Sequence, residues 1–174
     1  MKISACYEYL EIRSSYRKED KISVCLIDDK RGSEDDFKKV LFFVPEIGVS
    51  YRSYFSFFEV IIKKGIFDKI ITYDHFGSGI SGGARIDNAT SANYIEDFKE
   101  SLQIAQKMKC DKELFVYGHG FGATLALLIE SEGFLENVSG IIIKDPFSVK
   151  EKNITLSRKI GEVVKSKWLK RHFR

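Results

Sequence analysis

The sequence predicts an α/β fold: three αβα layers around a mainly parallel, doubly wound sheet, with an antiparallel hairpin at its N-terminal end. Two observations predict it. After a first pair of β-rich segments, apolar strand-like runs alternate with helical stretches at the spacing of βαβ units. Those runs are continuously apolar rather than alternating, as expected where helices cover both faces of a sheet. Of the 174 residues, 44% are hydrophobic, 30% are charged and 14 are Phe. That is enough apolar surface to offset the ordering entropy that keeps polar chains disordered. No run approaches the ~18 uncharged apolar residues of a membrane span, and Glu8 arrives too early for a secretory leader.

Each element has its own signal. Ala5–Arg13 and Lys21–Asp28 are β-rich and flank the polar Ser14–Asp20, which reads as a hairpin. Asp29–Lys39 is a charged loop with Phe37 as its only apolar anchor. Val40–Val44 is a buried strand stopped by Pro45. Tyr51–Lys64 predicts an aromatic-rich helix closed by Gly65, and Phe67–Tyr73 the next strand. Asp74–Asn88 is a glycine- and serine-rich loop. Asn93 with Glu96 predicts a capped helix start, followed by Tyr94, Phe98, Leu102 and Ala105 at helical spacing through Lys109. Glu113–Tyr117, Phe121–Glu132 and Gly140–Asp145 read as strand, helix and strand, and Ile154–Arg171 as a final helix.

The formal charge of +3 belongs to the C-terminal tail. Lys165–Arg174 holds five Lys/Arg and no acid, leaving 23 basic and 25 acidic residues in the body. The tail suits contact with anionic surfaces or a solvated last helical turn; nothing else supports nucleic-acid binding, and none is expected. Cys6, Cys25 and Cys110 are odd in number and lack metal-ligand spacing. Reduced thiols, a cytoplasmic location, no metal and no cofactor are the corresponding expectations.

The chemistry concentrates after the third parallel strand. Gly118-His119-Gly120-Phe121-Gly122 joins strand to helix in the pattern of a nucleophile elbow, Gly-x-nucleophile-x-Gly. Such a turn holds its central residue at positive φ. Strand and helix approach closely there, so positions two before and two after must be small. The N–H of the next residue, Phe121, then points at a developing oxyanion, helped by the positive end of the helix. The centre of this elbow is Gly120. Glycine accepts positive φ without strain but has no atom with which to attack a carbonyl.

Two further segments accompany the elbow. Tyr73-Asp-His-Phe-Gly-Ser-Gly-Ile-Ser-Gly-Gly resembles the Tyr-Asp-x-x-Gly-x-Gly-x-Ser-x-Gly loop of α/β-hydrolases. The likeness is to the lysophospholipase, monoacylglycerol lipase and serine aminopeptidase branch. Val44-Pro-Glu-Ile-Gly-Val-Ser-Tyr-Arg-Ser-Tyr54 resembles that branch's His-Gly-x-Gly oxyanion loop, and Tyr94–Asp97 its next helix start. The resemblance spans roughly residues 5–147. It implies one truncated hydrolase-like domain over 1–174: hairpin 1–29, α/β core 40–147, and C-terminal helix with basic tail 154–174. A lipid or acyl ligand follows from the same resemblance. A sheet lacking the family's later strands also predicts an edge covered by a second copy or a partner protein.

The departures fall on the chemistry. Pro45 and Glu46 replace the family's His-Gly, so the oxyanion donors would be the backbone N–H groups of Ile47 and Phe121. A Glu46 carboxylate nearby opposes a developing negative charge. Gly120 occupies the nucleophile position, and Gly118, His119 and Gly122 complete the elbow. The branch takes its acid and base from later chain. His75 and His119 fall at non-catalytic or variable positions, His172 lies in the tail, and Asp145 is a weak acid candidate or a turn former before Pro146. Asp74 and Arg85 read as residues that order the glycine loop, Ser78 and Ser81 as loop residues. The expectation is a chain inactive by itself. The alternatives are the N-terminal part, or a Ser-to-Gly variant, of an active carboxylic-ester hydrolase. A different class reads Gly118-x-Gly120-x-x-Ala123 as a dinucleotide fingerprint, with Asp145 holding a ribose.

Overall fold

The computed structural model describes residues 5–14, 16, 18–29, 38–83, 89–109, 112–147, 150–151 and 154–155. Its centre is β3 (Lys39–Val44), whose residues from Val40 onward are all buried. Parallel neighbours flank it: β4 (Lys69–Tyr73) on one side and β5 (Glu113–His119) on the other, with β6 (Gly140–Lys144) parallel beyond β5. The hairpin of β1 (Ala5–Arg13) and β2 (Lys21–Asp29) joins antiparallel, β2 against β4, giving the order β1-β2-β4-β3-β5-β6. The chain thus winds outward from β3 in both directions. The parallel strands β3 and β5 therefore end side by side at the position where such sheets hold their ligands.

Alternation along β3 sends Phe42 and Phe43 to opposite faces, which builds two cores. Phe42 packs with Val40, Val44, Leu114 and Val116 against α2 (Ser91–Lys109) and α3 (Phe121–Ser131). Phe43 packs with Leu41, Ile70 and Cys25 against Tyr51 and α1 (Phe55–Lys63). These are the three layers the apolar runs predict. Each large side chain removed from water contributes about 1.5–3 kcal/mol. Cys25 belongs to this core, and burial pushes its thiol up to about 12, leaving it an unreactive apolar group.

Three elements differ from expectation. The predicted helix over Tyr51–Lys64 opens with a separate 3-10 turn, Tyr51–Tyr54, because Ser50 Oγ accepts the Arg52 N–H and starts a tighter turn. α2 starts earlier than an Asn93 cap would place it. Asn93 sits in the first turn, and its Oδ1 accepts from Thr90 N–H and Thr90 Oγ1, a reversed capping contact. Ile154–Thr155 is not helical: the two form β8, paired antiparallel with β7 (Lys150–Glu151), as suits adjacent β-branched residues. The rest of that predicted helix, the basic tail with His172, Arg85, Phe37 and Cys110 lie outside the described residues.

Candidate active site at the strand–helix elbow

The turn from β5 into α3 has the predicted elbow geometry. Gly120 stands at φ 56°, ψ −118°. A Cβ at Gly118 would lie 2.5 Å from Ala123 Cα, and one at Gly122 would lie 2.6 Å from the Pro45 carbonyl oxygen. Both flanking glycines are therefore required by backbone that passes too close for any side chain. Gly120 N–H donates to the Lys144 carbonyl at 2.9 Å, tying the elbow to the end of β6.

The two N–H groups that the sequence offers as oxyanion donors both bond to one side chain. Phe121 N–H donates to Glu46 Oε2 at 3.0 Å, and Ile47 N–H donates to Glu46 Oε1 at 2.9 Å. One carboxylate thus takes both N–H groups that the sequence assigns to an oxyanion. It also fills the room of a side chain at position 120, since a Cβ there would lie 2.5 Å from Glu46 Cδ.

Behind this pocket, Asp74 fastens two loops together. Tyr51 N–H donates to Asp74 Oδ1 at 2.6 Å, and Ser50 Oγ and Ile80 N–H donate to Oδ2 at 3.1 and 2.9 Å. Burial still pushes its carboxyl above the ordinary range against these donors. Ser78 Oγ accepts Gly48 N–H, while Ser81 Oγ accepts Ser23 N–H and donates to the Asp74 carbonyl. The two serines hold backbone, as their loop positions predict.

The geometry matches the comparisons with known proteins. The family model described as serine aminopeptidase, S33 (Hydrolase_4) matches residues 35–173. The chain belongs to the serine aminopeptidase S33 family. Solved structures agree on the fold. A soluble variant of monoglyceride lipase from Saccharomyces cerevisiae has a TM-score of 0.68 at 16% identity, covering 94% of this chain and 53% of its own. A thermostable carboxyl esterase from Bacillus coagulans has a TM-score of 0.64 at 18% identity, covering 80% of this chain and 44% of its own. Est1E from Butyrivibrio proteoclasticus, solved with ferulic acid, has a TM-score of 0.65 at 16% identity, covering 79% and 52%. The chain spans about half the length of these structures. A search of curated proteins finds no significant match.

Against this S33 background the histidines are informative. His75 is fully buried, with its ring edge-on to Tyr73, Tyr94 and Phe121. Its Nε2 donates to the Pro45 carbonyl at 2.9 Å, and desolvation lowers its pKa to about 4. It is a neutral strut beneath the oxyanion loop. His119 projects from the elbow, with Nδ1 2.9 Å from Tyr54 Oη and Nε2 3.9 Å from Asp145 Oδ2. Tyr54 Oη also accepts Glu46 N–H at 3.4 Å, and burial raises the hydroxyl's pKa. The Nε2 side of the ring faces Asp145, a residue at φ 50° with an exposed side chain.

The structure therefore gathers Ile47, Gly120, Phe121, His119 and Asp145 around one point, together with Glu46 and Tyr54. In the sequence Tyr54 stands only at the end of the loop-like segment and in an aromatic-rich stretch, and nothing there signals its bond to His119. The dinucleotide reading is not favoured, since the Phe121 N–H that would face a pyrophosphate is held by a carboxylate.

Proposed function

We propose that this S33-family chain is a non-hydrolytic member of its fold, a module that binds an acyl ligand rather than turning it over. The observation that supports this is Gly120: the tip of the elbow carries no side chain with which to form an acyl-enzyme. An acyl or ester ligand is the chemistry named for the fold's solved relatives, a carboxyl esterase and a monoglyceride lipase bound to a substrate analogue. The edge strand β6, with Ile142 40% exposed, supports cover by a second copy or a partner protein. The few, scattered cysteines support a cytoplasmic setting, and no helix among the described residues is long and apolar enough to cross a membrane.

The test is turnover of p-nitrophenyl acyl esters by the purified full chain, with Phe121→Pro as a control that removes the oxyanion N–H. The expected rate equals the uncatalysed background in both. Turnover by the wild type that the control abolishes would overturn the reading.

A further inference from the structure

We infer that the Glu46 carboxylate is an internal ligand of the oxyanion pocket, standing in for a carboxylate that the vacated pocket would bind from solution. The inference rests on the non-hydrolytic reading of the site and deepens it by naming the ligand class.

The chemistry is that of carboxylate recognition. Two N–H groups from separate elements converge on one carboxylate, Ile47 from the loop after β3 and Phe121 from the first turn of α3. Each takes a different oxygen, at 2.9 and 3.0 Å, so the group is gripped at both ends rather than grazed. The start of α3 adds the favourable field of a helix N-terminus for an anion. Among the described residues no Lys or Arg pairs with Glu46, so its charge is met by backbone alone.

The space at Gly120 gives an independent reason. A Cβ at Gly120 would lie 2.5 Å from Glu46 Cδ and within the radius of Oε2, so carboxylate and side chain exclude one another. Glu46 and Gly120 are thus one coupled replacement. The carboxylate takes the volume that a nucleophile would occupy and the donors that its oxyanion would use. The pocket is not sealed: Glu46 is half-buried and Ile47 is 37% exposed, so a small anion can reach it from water.

Glu46→Gly removes the internal ligand and leaves both N–H groups in place. The experiment follows the Ile47 and Phe121 amides by 15N–1H correlation spectra of the full-length chain, titrated with sodium acetate against sodium chloride at equal ionic strength. In Glu46→Gly both amides should move, and acetate should return them toward their wild-type positions with saturation. The response should be about tenfold stronger than in the wild type, where the internal carboxylate competes. Glu46→Gln keeps the side-chain length, so it serves if the glycine variant fails to fold. It should shift the two amides, the Phe121 and Ile47 N–H groups now sharing one amide oxygen, while its side chain still fills the pocket and admits no acetate. Amides unmoved by either substitution, or equal acetate responses in wild type and Glu46→Gly, would overturn the inference. Its failure is distinct from failure of the non-hydrolytic reading, which ester turnover by the wild type alone would end.

Discussion

Tyr54 Oη and His119 Nδ1 stand 2.9 Å apart, joining residues 65 positions distant in sequence and clamping the oxyanion loop to the elbow. The same hydroxyl receives Glu46 N–H, so one phenol orders both sides of the pocket. Tyr54→Phe keeps the ring against Phe43 and Phe58 and deletes only the hydroxyl. Two hydrogen bonds are lost around a half-buried site, and the expected cost is about 1–2 kcal/mol in urea denaturation. Tyr54→Ala should cost visibly more, because it also removes the ring. Equal costs for the two would show that the hydroxyl contributes nothing.

Asp74 is the second clamp. Three donors from two loops meet its carboxylate, and Gly79 at φ 55° comes so near that a Cβ there would lie 2.7 Å from Oδ1. Asp74→Ala leaves Tyr51 N–H and Ile80 N–H without their acceptor, and about 3 kcal/mol of stability should be lost. Gly79→Ala should be similarly damaging, through left-handed backbone strain plus collision with the same carboxylate. Thermal or urea unfolding of the two variants checks both.

His75 makes stability depend on pH in a defined window. Its folded pKa is lowered to about 4 from an ordinary 6.5, so between these values the unfolded chain binds the extra proton. The neutral histidine's contribution is fully present above about 6.5 and is lost as pH falls towards 4. At 1.36 kcal/mol per unit this comes to roughly 3 kcal/mol across the window. Carboxylates titrate in the same range, so the measurement is a difference. The urea-derived stability of wild type should fall more steeply from pH 6.5 to 4 than that of His75→Gln, which retains a donor for the Pro45 carbonyl. Parallel curves would rule out a buried neutral imidazole.

Much of this fold was legible because its signals are local. Continuous apolar runs gave β3, β4 and β5, and the glycine spacing gave the elbow, since Gly118 and Gly122 answer to backbone contacts that leave no alternative residue. Less legible features depend on choices between near-equal local options or on distant partners. Thr90-Ser91-Ala92-Asn93 offers several polar caps within one turn, and the start of α2 follows from which of them the packed helix uses. Glu46 was visible as an intrusion into the oxyanion loop, but its rotamer depends on Phe121, 75 residues away. No sequence pattern encodes that pairing. The absence of a side chain at Gly120 hints at it, because a neighbour must fill the space.

Restoring the missing hydroxyl should not restore chemistry. Gly120→Ser places a side chain at φ 56°, a conformation that costs about 1–3 kcal/mol, and drives its Cβ into the Glu46 carboxylate. The single variant should therefore be markedly less stable than wild type. Adding Glu46→Gly removes the collision and should recover part of that loss, a non-additivity that a double-mutant cycle reads directly. Neither variant gains a base among the described residues. His75 is buried and donates to the Pro45 carbonyl, while His119 Nδ1 is bonded to Tyr54 Oη and its Nε2 faces Asp145. A serine without a base stays protonated and unreactive at neutral pH. Ester turnover should remain at background in both variants while the double variant regains stability. A large gain in turnover for Gly120→Ser, Glu46→Gly would overturn this expectation and show that a base reaches the new serine.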